Sequence, residues 1–257
     1  MKKKIVKVIR ILLLIICITV MAISGWYLYK YLREQKEAQD VVDDLKDMIV
    51  EIPEDEDELL EWKKMNSDIN IYQELYEKNN DFIGWITIEG TKIDYPVMQT
   101  PNDEQYYLYK DFNKNYLVSG TLFCKAEADI EKPSDNILIY GHHMSGGKLM
   151  FADLEKYMDE EFYKKHKYIK FGTIYDNYGK YEIIAAFRTD VNVGTYEYYN
   201  FIDGTEEEFN EYVNNAKSHT PYNIETSAEY GDKLISLSTC AYHTNNGRLV
   251  IVAKKIQ

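Results

Sequence analysis

The sequence predicts a mostly β domain, an antiparallel barrel or sandwich, behind one membrane-spanning helix. Two observations carry the β assignment and a third carries the helix. Eight short β-rich runs fall between residues 83 and 254, at 83–88, 92–98, 119–124, 136–140, 168–174, 179–188, 233–240 and 248–254, separated by turn residues. Only two helical stretches interrupt them, at about 149–166 and 205–218, and in the second Phe209, Tyr212 and Val213 form an apolar stripe. Residues 11–29 carry no charge and are mostly apolar.

Nineteen helical residues rise roughly 28 Å, close to the hydrocarbon thickness of a bilayer. Lys2, Lys3, Lys4, Lys7 and Arg10 precede the run, so the positive-inside rule keeps residues 1–10 cytoplasmic and exports the rest of the chain. Trp26, Tyr27 and Tyr29 suit the far interface. A cleaved signal peptide is the competing reading, because Ala22-Ile23-Ser24 fits a small-x-small site; the apolar run continues past it, which favours an uncleaved anchor.

Residues 30–66 read as a helical and acidic stalk. Val41, Val42, Leu45, Met48 and Ile49 share one helical face over 35–50, and the run Glu54-Asp55-Glu56-Asp57-Glu58 suits solvent or a helix start. Five consecutive carboxylates point in all directions and lack the alternation of a calcium loop. A further helix is expected from a capping Asp68 to about Asn79, with Ile71, Leu75 and Tyr76 inward. The remaining domain, 67–257, holds the strands.

Charge narrows the function. Residues 1–40 carry eight Lys/Arg against three Asp/Glu, whereas residues 41–257 carry 22 against 40. An acidic body disfavours nucleic acid as a partner, because phosphate binding needs a basic face. Three cysteines are too few for a disulfide scaffold. Cys17 lies in the apolar run, leaving Cys124 and Cys240 either to pair or to supply a free thiol.

Along 234–240 one face reads Leu234, Ser236, Ser238, Cys240 and the other Ile235, Leu237, Thr239. Cys240 thus lies on the more polar face at a strand end. Asn245-Asn246-Gly247 is a turn signal that folds the next strand back and brings Arg248 near Cys240. A cationic neighbour favours a thiolate and can stabilise an oxyanion; a structural cysteine beside a surface arginine fits the spacing equally. Among five histidines, His142 and His143 follow the apolar strand 136–140 and Gly141, and His243 sits in the 241–247 loop. His142 and His143 are adjacent and point apart, a poor chelate, so no metal is expected.

These pieces resemble the sortase family. Leu237-Ser238-Thr239-Cys240 is similar to the sortase signature T-L-x-T-C, with Ser236 where Thr is common. The segment from Asn136 to Gly141-His142 resembles the family's strand ending in Gly-His, and Arg248 in Gly-Arg-Leu-Val-Ile-Val takes the place of its essential arginine. Three further stretches, 84–88, 93–97 and 150–154, resemble class B members, and the likeness covers about residues 67–257 in order.

The resemblance implies an eight-stranded β-barrel with N-terminal helices and a helix, near 205–218, in the long connection between strands six and seven. It implies a cysteine transpeptidase with Cys240 as nucleophile, His142 as acid/base and Arg248 on the oxyanion, with Thr239 and Ser238 binding substrate and no cofactor. The partners it implies are surface proteins bearing a C-terminal sorting signal, of Asn-Pro-x-Thr-Asn or Pro-Pro-x-Thr-Gly type, and the amine of a peptidoglycan precursor. A pilin-polymerising sortase and a non-catalytic, membrane-tethered wall-binding β-domain are the alternatives. An L,D-transpeptidase would carry a Ser-His-Gly-Cys string, which is absent.

Overall fold

The computed structural model describes residues 2–53, 55–144, 149–192, 196–242 and 244–257. Glu54 of the acidic run and His243 lie outside them. Two compact units result, Met1–Asp40 and Val41–Gln257.

Helix α1 runs unbroken over Lys2–Lys46, so the separate helix expected over 35–50 is instead the last part of this one. No proline or glycine interrupts 30–46, and Lys30–Glu34 (3.6 Å) and Arg33–Glu37 (2.7 Å) are i,i+4 pairs that favour continuation. The first unit is the part of this helix that ends at Asp40. It is long and apolar enough to cross a membrane, and its large apolar side chains from Ile11 to Leu28 are exposed.

Residues 41–66, expected within a stalk, fold in the second unit, where Val42 and Leu45 are buried. Helix α2 (Glu56–Met65) starts in the acidic run, where the Asp55 carboxylate caps it by accepting from the backbone of Asp57 and Glu58. Helix α3 covers only Gln73–Lys78. Residues 68–72 turn instead, because the Asn70 side chain accepts from the Tyr72 amide at 2.9 Å, an alternative to helix that short polar side chains offer. Ile71, Tyr72 and Leu75 are the buried members there, rather than Tyr76.

Eight strands complete the domain: β1 (Phe82–Thr87), β2 (Asp94–Met98), β3 (Leu122–Cys124), β4 (Asn136–Tyr140), β5 (Tyr168–Thr173), β6 (Lys180–Asp190), β7 (Leu234–Cys240) and β8 (Gly247–Lys255). They close into a barrel in the order β1-β2-β3-β4-β7-β8-β6-β5, which settles barrel against sandwich. The barrel is mixed rather than antiparallel, since β2–β3 and β4–β7 pair in parallel. Parallel neighbours need crossovers, and these occupy the long connections.

The helix expected over 149–166 is broken in two: a 3₁₀ segment at Phe151–Met158 and α4 at Glu160–Lys165. Asp159 divides them, its carboxylate accepting from the Glu161 amide at 2.9 Å as the cap of α4. Helix α5 (Glu206–His219) lies between β6 and β7, as the family resemblance implies, and opens with a Thr205/Glu208 capping box. Its buried stripe of Phe209, Tyr212, Val213 and Ala216 packs on β6. Strands β6, β7 and β8 are buried along most of their length, on both faces.

Candidate active site

The parallel pairing of β4 with β7 makes the site. Its register sets Tyr140 against Ser238, so the segments leaving both strands emerge at the same end of the barrel. They are stitched together there: the Gly141 amide donates to the Ser238 carbonyl at 3.1 Å, and the Thr239 hydroxyl donates to the Gly141 carbonyl at 2.7 Å. Gly141 has no room for a side chain, since a Cβ would lie 2.4 Å from Leu122 and 2.7 Å from Phe151. His142 comes immediately after it.

Strand β8 returns antiparallel to β7, and Cys240 is the register partner of Arg248. The turn between them closes through the Ala241 amide and the Gly247 carbonyl at 2.9 Å, with Asn246 at φ +57° as the Asn-Asn-Gly signal predicts. Cys240, His142 and Arg248 thus come from the ends of three strands and line one groove of about 450 Å³, together with Leu108, Tyr109 and Tyr198. A second cavity of about 730 Å³, between α2 and the β1–β5 face, has no cysteine or histidine among its described lining residues.

His142 is oriented by the backbone. Its Nε2 lies 2.8 Å from the Leu108 carbonyl, an acceptor only, so Nε2 carries the proton and donates. Nδ1 is then the ring nitrogen that this contact leaves unengaged. The imidazole also packs at 5.4 Å on Tyr109. The Leu108 carbonyl depends in turn on Gly120, whose φ of +58° and missing side chain matter, because a Cβ there would lie 2.3 Å from that oxygen. The loop bearing Leu108 is fixed from below by Tyr107, whose buried hydroxyl donates to Asp81 at 2.8 Å and accepts from Asn79 at 2.8 Å.

The Arg248 guanidinium donates through one terminal nitrogen to the carbonyls of Gly247 (3.0 Å) and Asn246 (3.3 Å). Among the described residues no carboxylate pairs with it. The charge is held by its own turn through one terminal nitrogen of the planar fork.

All three cysteines are free thiols, so Cys124 and Cys240 are not bridged. They differ in setting. Cys124 is fully buried in β3, and burial pushes its thiol well above the ordinary range, towards an inert neutral form. Cys240 is half-buried and borders the groove.

The serine face of β7 is not solvent-facing. Ser236 and Ser238 are buried because the β6–β7 connection lies over them: Tyr212 bonds the Ser236 hydroxyl at 2.7 Å and Tyr198 bonds the Ser238 hydroxyl at 2.6 Å. Ser236 also donates to the Asn136 side chain at 2.8 Å. Burial pushes the Tyr198 phenol up, offset in part by the Ser238 hydrogen bond and the Arg248 charge. Ser238 and Thr239 both border the groove, but both hydroxyls are engaged within the protein and their strand is paired with β4 on one side and β8 on the other. Sequence reasoning missed Leu108, which acts through its carbonyl, and Tyr198, one of 24 tyrosines with no motif around it.

Comparison with known proteins agrees with this architecture. A family model described as a sortase domain matches residues 86–256. Sortase B of Listeria monocytogenes is 30% identical over 247 residues, covering 95% of each chain. Sortase B of Staphylococcus aureus is 31% identical over 191 residues, covering 72% of this chain and 75% of that protein. Among solved structures, sortase B of Bacillus anthracis superposes with a TM-score of 0.72 at 26% identity, over 88% of this chain and 99% of that one. The protein therefore belongs to the sortase family of cysteine transpeptidases, in class B.

Proposed function

We propose that this chain cleaves a C-terminal sorting signal after its threonine and transfers the carboxyl end of the donor protein to a peptidoglycan amine. The Cys240 thiolate attacks the threonyl carbonyl, forming a C–S bond and a tetrahedral oxyanion that Arg248 stabilises. The C–N bond to the next residue breaks as His142 gives a proton to the leaving amine. The thioester keeps acyl-transfer potential, so an incoming amine replaces sulfur while His142 takes the proton back. Ser238 and Thr239 border the groove beside Cys240 and contact the peptide there. The observation that carries this reading is a single groove lined by a half-buried thiol, an oriented histidine and an arginine that no carboxylate among the described residues pairs with. Two solved relatives lend support: an S. aureus sortase B–substrate complex and a sortase B complexed with triglycine.

Residues 1–10 are proposed to be cytoplasmic, 11–29 to span the membrane and the second unit, with the catalytic domain 67–257, to lie outside. One experiment tests reaction and orientation together. A sorting peptide and triglycine are supplied to intact, wall-stripped cells of a host without other sortases, expressing the full chain. The expected product is the peptide–triglycine amide, formed outside the cells and absent with Cys240→Ala. Product seen only after lysis would reverse the topology, and hydrolysis without amide would refute the amine acceptor.

A further inference from the structure

His143 and Tyr242 take no part in the chemistry above, yet both are tied to the nucleophile's own segment. Nδ1 of His143 lies 2.9 Å from the Cys240 carbonyl oxygen. A carbonyl has no proton to give, so this ring nitrogen is the donor and the tautomer is fixed. Ladder pairing of β4 with β7 ends at Tyr140 and Ser238, and the Gly141 bonds extend the contact by one step. His143 carries it to Cys240 itself. The link is closed from the other side, because the Tyr242 hydroxyl donates to the His143 carbonyl at 2.7 Å and the two rings sit 5.2 Å apart. His142 and His143, neighbours in sequence, therefore face different tasks: one ring is held against Leu108, the other against the backbone of Cys240.

We propose that His143 is a positioning residue whose Nδ1–H clamps the Cys240 carbonyl, fixing the peptide plane from which the thiol is presented to the groove. The inference rests on Cys240 being the nucleophile. A clamp of this kind needs a donor where Nδ1 stands and no proton exchange. Asparagine places its amide nitrogen near that position, whereas glutamine places it about one bond further out, near Nε2.

The test is steady-state transpeptidation by the full chain in detergent, with a sorting peptide and triglycine. His143→Ala is expected to lose about tenfold in kcat with little change in KM, the scale of one lost hydrogen bond that orients the reacting atom. His143→Asn should recover to within about threefold of the parent, and His143→Gln should remain as low as His143→Ala. Tyr242→Phe removes only the hydroxyl on the far side of the clamp, from an exposed residue, and should lower kcat in the same sense but less. Unchanged kcat in His143→Ala would overturn the proposal. So would His143→Asn as inactive as His143→Ala, which would mean that the ring itself exchanges protons. Should His143→Ala fail to fold, the Asn–Gln comparison decides alone: equal rates refute the clamp. Turnover surviving in Cys240→Ala would instead locate the failure in the assignment of the nucleophile.

Discussion

Arg248→Lys is expected to lose roughly 10²–10³ in turnover, the scale of a deleted oxyanion donor. Two roles for Arg248 separate here. A positive field beside Cys240 that merely favours thiolate would survive the substitution, since lysine keeps the charge. A planar fork aimed at the oxyanion would not, because one rotatable ammonium cannot reproduce its donors. The geometry favours the fork. Arg248 stands one residue inside β8, paired across the ladder with Cys240, and one terminal nitrogen is fastened to the carbonyls of its own turn at 3.0 and 3.3 Å. The remaining N–H groups are thereby held in one orientation at the groove. Single-turnover acylation and the pH dependence of Cys240 alkylation, measured side by side, distinguish the roles. Acylation should collapse in Arg248→Lys while the alkylation profile moves little. Near-parental acylation would leave only the field, and an unchanged rate in Arg248→Ala would remove the residue from the mechanism.

His142→Ala is expected to lose at least about 100-fold in turnover, the low end for a removed general acid/base. In the proposed reaction the ring both delivers a proton to the leaving amine and takes one from the incoming amine, so a single fixed tautomer would be an obstacle unless the other nitrogen is free. The Leu108 carbonyl supplies that arrangement by holding Nε2–H at 2.8 Å, so that this contact leaves Nδ1 unengaged, as an orienting group does in a catalytic triad. Gly120→Ala should therefore act in the same direction without touching His142, by driving the Leu108 oxygen off its position. The pH–rate profile of both variants checks this. A His142→Ala enzyme within about tenfold of the parent would contradict the acid/base role.

Much of the barrel was legible because each strand is a short apolar run bounded by turn residues, and all eight appear within a few residues of their expected ends. The helix α5 stripe was legible for the same reason of period. The features that the sequence hides are mostly non-local. Nothing in residues 136–142 or 234–240 announces that β4 and β7 lie side by side in parallel, although that pairing is what carries His142 to the end of the barrel where Cys240 stands. The polar face of β7 looks like a solvent-facing stripe, yet Ser236 and Ser238 are buried because Tyr198 and Tyr212 arrive from a connection more than twenty residues upstream. The break at Asp159 and the late start of α3 have local causes, capping and turning side chains that compete with an otherwise helical period. Leu108 could not have been found at all, since a backbone carbonyl leaves no mark on the residue type.

The central claim is that Cys240 forms the acyl bond. Intact-mass measurement of the chain after brief exposure to a sorting peptide, without acceptor amine, and then peptide mapping, tests it most directly. One thioester-linked acyl group on the peptide containing Cys240 is the predicted result, retained in Cys124→Ala and absent in Cys240→Ala, because Cys124 is fully buried with its thiol held neutral. An acyl group mapped to another residue, or one that persists in Cys240→Ala, would contradict the account.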